Sequence, residues 1–255
     1  MNVQRWKLTL EYDGARFYGW QLQDDNAPTV QGVLEDAIFA FCGQRVTAHV
    51  AGRTDAGVHA RAQVCHIDLT DRPVQPYDLA KAINALVRPH ALACIEAEPV
   101  GADFHARFSA KNKLYTYRIL NRPAPPVTEA GHMAHHRRAL DVDAMRAGAA
   151  HLIGHHDFTT FRDSACQAKS PEKTLDRLEI ETLPYDAQGG VEIRIHAEAR
   201  SFLHHQMRNM AGTLIQVGDG KWTPDDVKTA LAARDRKAGG PTSPACGLYL
   251  VRVDY

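Results

Sequence analysis

The chain has 255 residues, 44% hydrophobic and 24% charged, with 30 Lys and Arg balanced by 30 Asp and Glu. That length carries one large core or two modest ones, in the composition of an ordinary globular protein rather than a disordered or fibrous one. No apolar run approaches the ~20 residues of a membrane-spanning helix, and a net charge of zero excludes a uniformly basic nucleic-acid-coating protein.

In chain order, Trp6–Tyr12 alternates like a strand, and Thr29–Cys42 places Val30, Val33, Leu34, Ala37, Ile38 and Phe41 at helical spacing. Arg45–Ala51 and Ala62–Leu69 read as strands, Tyr77–Leu86 as a helix after the Pro73/Pro76 turn, and Leu92–Ala97 as a strand. The order β-α-β-β-α-β then repeats through Leu114–Asn121, helix Val142–Ile153, strands Thr174–Leu183 and Val191–Ala199, helix Phe202–Val217 and strand Leu248–Asp254. An extra helix, Pro224–Arg234, precedes the last strand; the proline-rich 122–129 is a loop, and Ala187-Gln188-Gly189-Gly190 a hairpin turn. Two such halves, 1–108 and 109–255, predict an α+β fold. It consists of two ferredoxin-like units with helices on one face of a mixed, mostly antiparallel sheet. A sheet open on one face is a common RNA-binding platform, although this superfold hosts many unrelated functions.

Residues 1–108 hold 10 basic and 13 acidic groups, and 109–255 hold 20 and 17, so a basic surface is expected as a local cleft. The five cysteines, 42, 65, 94, 166 and 246, are odd in number and lack paired metal-type spacing. With no signal-peptide pattern at the start, reduced thiols and a cytoplasmic location are expected.

The segment Ala51-Gly52-Arg53-Thr54-Asp55-Ala56-Gly57-Val58-His59-Ala60 puts a carboxylate two residues from an arginine in a turn bracketed by glycines. Such a carboxylate is either a turn former or a positioned nucleophile or base. Gly52 to His59 resembles the signature of the TruA-type tRNA pseudouridine synthases. So do Lys7–Gln21 with Glu11-Tyr12-Asp13-Gly14 and Tyr18-Gly19-Trp20-Gln21, Asp103–Ala110, Lys113-Leu114-Tyr115-Thr116-Tyr117, 156–162, 202–210 and 247–251, all in family order. A run of ordered blocks is far more specific than one short motif.

The resemblance implies an isomerase that converts uridine to pseudouridine in the anticodon stem-loop of tRNA, at positions 38, 39 and 40, without cofactor or metal. The partners it implies are tRNA and a second copy of the chain in a homodimer, with no membrane. It makes Asp55 the nucleophile; whether the attack falls on the base, on C1′ or on the C2′ proton is open in the sequence. Tyr115 would stack on the base and take part in proton transfer, Tyr117 would support it, and Arg208 would hold Asp55 ionised. Arg53 would fill the gap left by the flipped nucleotide, and Leu248 would line the base pocket. Phosphate contacts are expected from Arg16, Lys111, Lys113, Arg137, Arg138, Arg162 and Lys169, each of which is otherwise ordinary surface.

Without the family, Tyr115 reads as sheet packing and Leu248 as core. In the expected helix 202–217, Ser201, His204, His205, Arg208 and Gly212 fall on a polar face opposite Phe202, Met207, Met210, Ala211, Leu214 and Ile215, so Arg208 alone reads as solvated. The histidine pairs 135/136, 155/156 and 204/205, and His151, lack metal-ligand spacing, and neighbouring side chains on a strand or helix point apart. His59 is expected to brace the Asp55 turn. Cys246, where the family carries a polar residue, and the low basicity are departures. The rivals are a catalytically silent RNA-binding protein and a metal-dependent hydrolase built on the histidines.

Overall fold

The computed structural model describes residues 2–23 and 27–255. In chain order its elements are β1 (Val3–Tyr12), α1 (Val30–Cys42), β2 (His49–Val50), β3 (His59–Thr70), α2 (Pro76–Leu86), β4 (Leu92–Val100), β5 (Asn112–Asn121), β6 (Ala134–His136), α3 (Val142–Ala150), β7 (Gly154–Asp157), β8 (Glu172–Leu175), β9 (Arg177–Pro184), β10 (Val191–Ala199), α4 (Gln206–Gly218), α5 (Pro224–Ala233) and β11 (Leu248–Asp254). The fold is α+β with mixed, mostly antiparallel pairing; only β3–β11 and β5–β6 among the pairs below run parallel. Two compact units result, one made of residues up to 111 together with 249–255, the other of 112–248.

In the first unit the strands lie in the order β4-β1-β3, with β2 on the far edge of β3 and β11 also beside β3. The even positions of β1 (Trp6, Leu8, Leu10, Tyr12) are buried with Ile67, Leu69 and the apolar stripes of α1 (Val30, Leu34, Ala37, Ile38) and α2 (Leu79, Ile83). Each such aliphatic side chain contributes about 1.5–3 kcal/mol on leaving water. Thr29 caps α1 by accepting from Gly32 N–H, and Gly43 ends it at φ +72°.

The odd face of β1 is covered too. Arg5 pairs with Asp68 through two 2.8 Å bonds and donates to the carbonyls of Ala102 and Phe104. Tyr255 packs on Phe104 at 4.9 Å and donates to Ala106 O at 2.7 Å. Beneath lie the rings of His49, His66 and His105, the first two stacked at 4.9 Å. The block 103–110 is thus the lid of this face.

In the second unit β5, β10 and β9 lie side by side, with β6 on β5. One face presents Tyr115, Tyr117, Ile119, Ile193, Ile195, Ala197, Leu178 and Ile180, all buried. The other carries ion pairs: Glu192 with Arg118 and Arg194 at 2.7 Å each, and Arg177 with Glu198 at 2.9 Å. That open face is occupied by acids and bases satisfying one another.

Several boundaries differ from the sequence reading. The strand expected over 45–51 shrinks to His49–Val50. Just before it, Glu35 accepts from Ala48 N–H at 2.9 Å, and the Gln44 amide bonds both backbone groups of Thr70 at the end of β3, at 2.8 and 2.9 Å. The strand expected over 174–183 splits at Asp176, whose N–H goes to Glu198 O. The helix from Val142 stops at Ala150, and the short β6 and β7 were not foreseen. The helix expected from Phe202 starts at Gln206, because His205 sits at φ +60°, outside helical space.

Candidate active site

In the first unit, residues 52–58 join β2 to β3 outside the strand ladder, and buried side chains hold them. Gln63, fully buried on β3, donates from Nε2 to Gly52 O at 2.9 Å and to the Tyr12 hydroxyl at 3.2 Å. That hydroxyl lies 2.8 Å from Thr54 Oγ1. Trp20 N–H donates to Thr54 O at 3.0 Å, and Val58 N–H to Asp55 O at 3.1 Å. The second contact closes a turn whose third residue, Gly57, has φ +81°, a conformation that favours glycine.

Two more glycines explain the N-terminal blocks. A Cβ on Gly14 would stand 2.0 Å from Val58 O, and one on Gly19 2.8 Å from Thr54 O. Only bare backbone fits against the loop there. His59 follows, 2% exposed, stacked on Tyr249 at 4.5 Å, with Nδ1 3.1 Å from both Gly14 N–H and Asp13 Oδ1. It braces the turn. Burial pushes the Tyr12 hydroxyl up to about 12, hydrogen bonds to Thr54 and Gln63 offsetting part of the rise, so it stays protonated. On this foundation Asp55 is half-buried and Arg53 exposed.

In the second unit, alternation along β5 turns Lys113, Tyr115 and Tyr117 to one face. Tyr115 is 8% exposed and meets Phe202 edge-on at 5.0 Å. Tyr117 donates to Pro244 O at 2.8 Å, and its burial raises its hydroxyl pKa. Arg208, half-buried in the first turn of α4, donates from Nε to Ser243 O at 2.8 Å, and Ser243 N–H returns a bond to Arg208 O at 3.2 Å. Residues 240–244 therefore form a strap over α4.

The strap is gripped along its length. A Cβ on Gly212 would lie 1.8 Å from Pro241 O. Thr213 Oγ1 accepts from Gly240 N–H at 2.9 Å, and Asn209 Oδ1 accepts from Thr242 Oγ1 at 2.7 Å. The helix face expected to be solvated is thus covered from 30 residues away in sequence. Gly212 is buried, and His204 and His205 precede the helix. The strap was missed in the sequence, although Gly239-Gly240-Pro241-Thr242-Ser243-Pro244 carries the glycine and proline signals of a fixed loop.

Other expected residues are dispersed. Leu248 is 6% exposed at the start of β11, and the preceding Gly247 abuts the Tyr117 ring, 2.8 Å from a Cβ it lacks. Burial raises the Cys246 thiol. Arg16, Lys111, Arg137 and Lys169 are exposed and Arg162 is half-buried. Lys113, 6% exposed, is off the solvated surface, and Arg138 is engaged with Asp219, which also holds Lys221 at 3.0 Å.

Among the histidines, His155 bonds Thr174 and His156 bonds Ile153 O. His204 and His205 do not point apart as expected. Lying in a turn, their ring centroids are 4.0 Å apart, and both face Asp163, His205 Nδ1 at 2.8 Å.

A half-buried carboxylate on a loop whose carbonyls at 52, 54 and 55 are each hydrogen-bonded suits positioned nucleophilic or basic chemistry. A buried tyrosine pair beside a strapped arginine suits holding a planar, polar group. Comparison with known proteins gives these features a context. The tRNA pseudouridine synthase family model matches residues 9–109 and 149–255. The chain is 54% identical over 253 residues to the tRNA pseudouridine synthase A of Rhodospirillum centenum, covering 99% of this chain and all of that protein. It is 53% identical to the tRNA pseudouridine synthase A of Bradyrhizobium diazoefficiens, with the same coverage. To that of Paramagnetospirillum magneticum it is 54% identical over 254 residues, covering 99% of this chain and 96% of the relative.

Proposed function

The chain belongs to the tRNA pseudouridine synthase family, and we propose that it works in the anticodon stem-loop of tRNA with Asp55 as its nucleophile. The reaction isomerises uridine to pseudouridine in tRNA. The N1–C1′ bond breaks, the uracil turns, a C5–C1′ bond forms, and the C5 proton leaves as N1 gains one. Nothing is oxidised or reduced.

The observation that carries the reading is the Asp55 loop. Family motif and fixed geometry coincide there: the carboxylate sits on a turn whose carbonyls at 52, 54 and 55 each accept a hydrogen bond. Positioning of that kind supplies much of the advantage of an enzymatic nucleophile. In this reading Arg208 keeps the carboxylate ionised by a charge-assisted interaction, and Tyr115 stacks on the extruded uracil and handles its proton. Leu248 lines the base pocket, and Arg53, exposed beside Asp55, occupies the gap in the RNA. Arg16, Lys111 and Arg162 reach phosphates; Lys113, being buried, acts beside Tyr115 instead.

The protein works in this reading as a cytoplasmic homodimer. Among the described residues no helix is long and apolar enough to cross a membrane. Analytical ultracentrifugation checks the dimer, and a monomer at working concentration ends that part of the reading.

The test uses purified protein and unmodified tRNA carrying C5-tritiated uridine, with Asp55→Asn in parallel and product sites mapped by carbodiimide primer extension. Tritium release that needs Asp55 and maps to positions 38–40 is expected. Tight tRNA binding with no release would favour a silent RNA-binding protein.

A further inference from the structure

We infer that Tyr12, Thr54 and Gln63 are positioning residues for the Asp55 carboxylate, acting through a hydrogen-bond chain with one permitted direction. The inference rests on the synthase reading.

The direction follows from what each atom can do. Gly52 O only accepts, so the Gln63 atom 2.9 Å from it is the amide nitrogen. The same nitrogen lies 3.2 Å from the Tyr12 oxygen, to which it gives its second hydrogen. The Tyr12 hydroxyl therefore spends its own hydrogen on Thr54 Oγ1, 2.8 Å away. Thr54 is thus held by its side chain through Tyr12 and by its carbonyl through Trp20 N–H. With both fixed, the peptide that leads into Asp55 has one orientation.

Stability alone does not account for the set. All three side chains are buried, at 3%, 7% and 0% exposure, and Gln63 Oε1 is buried with no hydrogen-bond partner. An orphaned acceptor is unfavourable, and apolar side chains of the same shape would avoid it. Turning the amide over does not help, because it would set oxygen against Gly52 O. What the arrangement secures is the placing of residues 52–54 against β1 and β3. The three act on Asp55 through the backbone of the loop, not by contact with substrate.

The test compares Thr54→Val, which keeps shape and removes the hydroxyl, with Thr54→Ser, which restores it, and with Tyr12→Phe. Thr54→Val and Tyr12→Phe should slow single-turnover pseudouridine formation about 10- to 100-fold, as small misplacements of reacting groups do. Dissociation constants for tRNA should stay within about twofold, since the lost interaction concerns the transition state. Thr54→Ser should recover most of the rate, and the Tyr12→Phe/Thr54→Val double variant should be no slower than the slower single one, because both break the same link. Amide exchange at Trp20 and Val58, whose N–H groups bond the loop carbonyls, should quicken in both damaged variants with no substrate present.

Wild-type rates in Tyr12→Phe and Thr54→Val, an additive double variant, or unchanged exchange would each overturn the inference. A wild-type protein that releases no tritium from tRNA would sink the synthase reading instead. The exchange data would still decide whether the chain orders the loop.

Discussion

The Asp55 loop and the Arg208 strap solve one problem, holding an irregular segment still, by different means. The loop of residues 52–58 hangs from neutral polar side chains inside the first unit, Gln63 bonding Gly52 O and Tyr12 bonding Thr54 Oγ1, with glycines 14 and 19 pressed against its backbone. The strap of residues 240–244 lies along a regular helix and is gripped by groups that α4 presents at successive turns: Arg208, Asn209, Gly212 and Thr213. A loop hung from side chains is adjusted by changing single atoms. A strap seated on a helix inherits the rigidity of the helix.

The sharpest division between the two regions comes from Asp55→Asn, which changes charge and leaves the loop's backbone contacts intact. It should lower turnover roughly 10⁴-fold, the scale of an essential catalytic carboxylate, with an unchanged melting temperature. Turnover near wild type would remove Asp55 from the chemistry. Arg208→Ala should come next, at about 10²-fold, the size of losing one charged stabilising group in an active site. An unchanged rate would leave Arg208 as a structural clasp for Ser243.

Gly212→Ala tests the strap through stability. Its methyl would meet Pro241 O at 1.8 Å, and forced repacking costs about 1–3 kcal/mol in denaturant titration. Gly43→Ala is the control, because nothing lies within 4 Å of the added Cβ and only the φ of +72° is strained; it should cost about 1 kcal/mol. Equal losses at the two sites would mean that the strap is not tightly seated.

The smallest effect is in acid. Burial, reinforced by Arg5 and by the rings of His105 and His49, lowers His66 to about 4, Asp68 opposing. A histidine depressed on folding contributes stability that is complete above its unfolded value near 6.5 and fades as pH falls toward 4. Asp68, held below the usual carboxylate range by its bonds to Arg5, loses its contribution lower still. Thermal melts between pH 7 and 4 should show this slope flattened in His66→Gln. An identical slope would place the acid sensitivity elsewhere.

The strands and helices whose burial follows local alternation were legible. Val191–Ala199 and Leu248–Asp254 coincide with β10 and β11, and the helix expected over Thr29–Cys42 is α1 (Val30–Cys42) preceded by its cap. Asp55, Tyr115 and Arg208 stood out because a family pattern carries them; periodicity alone read Tyr115 as packing and Arg208 as solvated. What stayed hidden depends on residues distant in sequence. The polar spacing of Arg208 and Gly212 on α4 is genuine, but a strap 30 residues later turns that face inward. Lys113 carries a surface residue's charge, yet the alternation that buries Tyr115 and Tyr117 buries it as well. His205 at φ +60° ends a helical pattern that its side chain does not forbid.

With Asp55 as the proposed nucleophile, the hydrogen bonds to the carbonyls of Gly52, Thr54 and Asp55 bear on how the enzyme chooses among uridines. A carboxylate that does not travel selects targets that travel to it. Selection then becomes a question of mechanical compliance in the nucleic acid: a soft junction delivers its uridine cheaply, and a stiff helix of the same sequence does not. Several neighbouring positions can be served by one immobile turn, provided the RNA is the partner that bends.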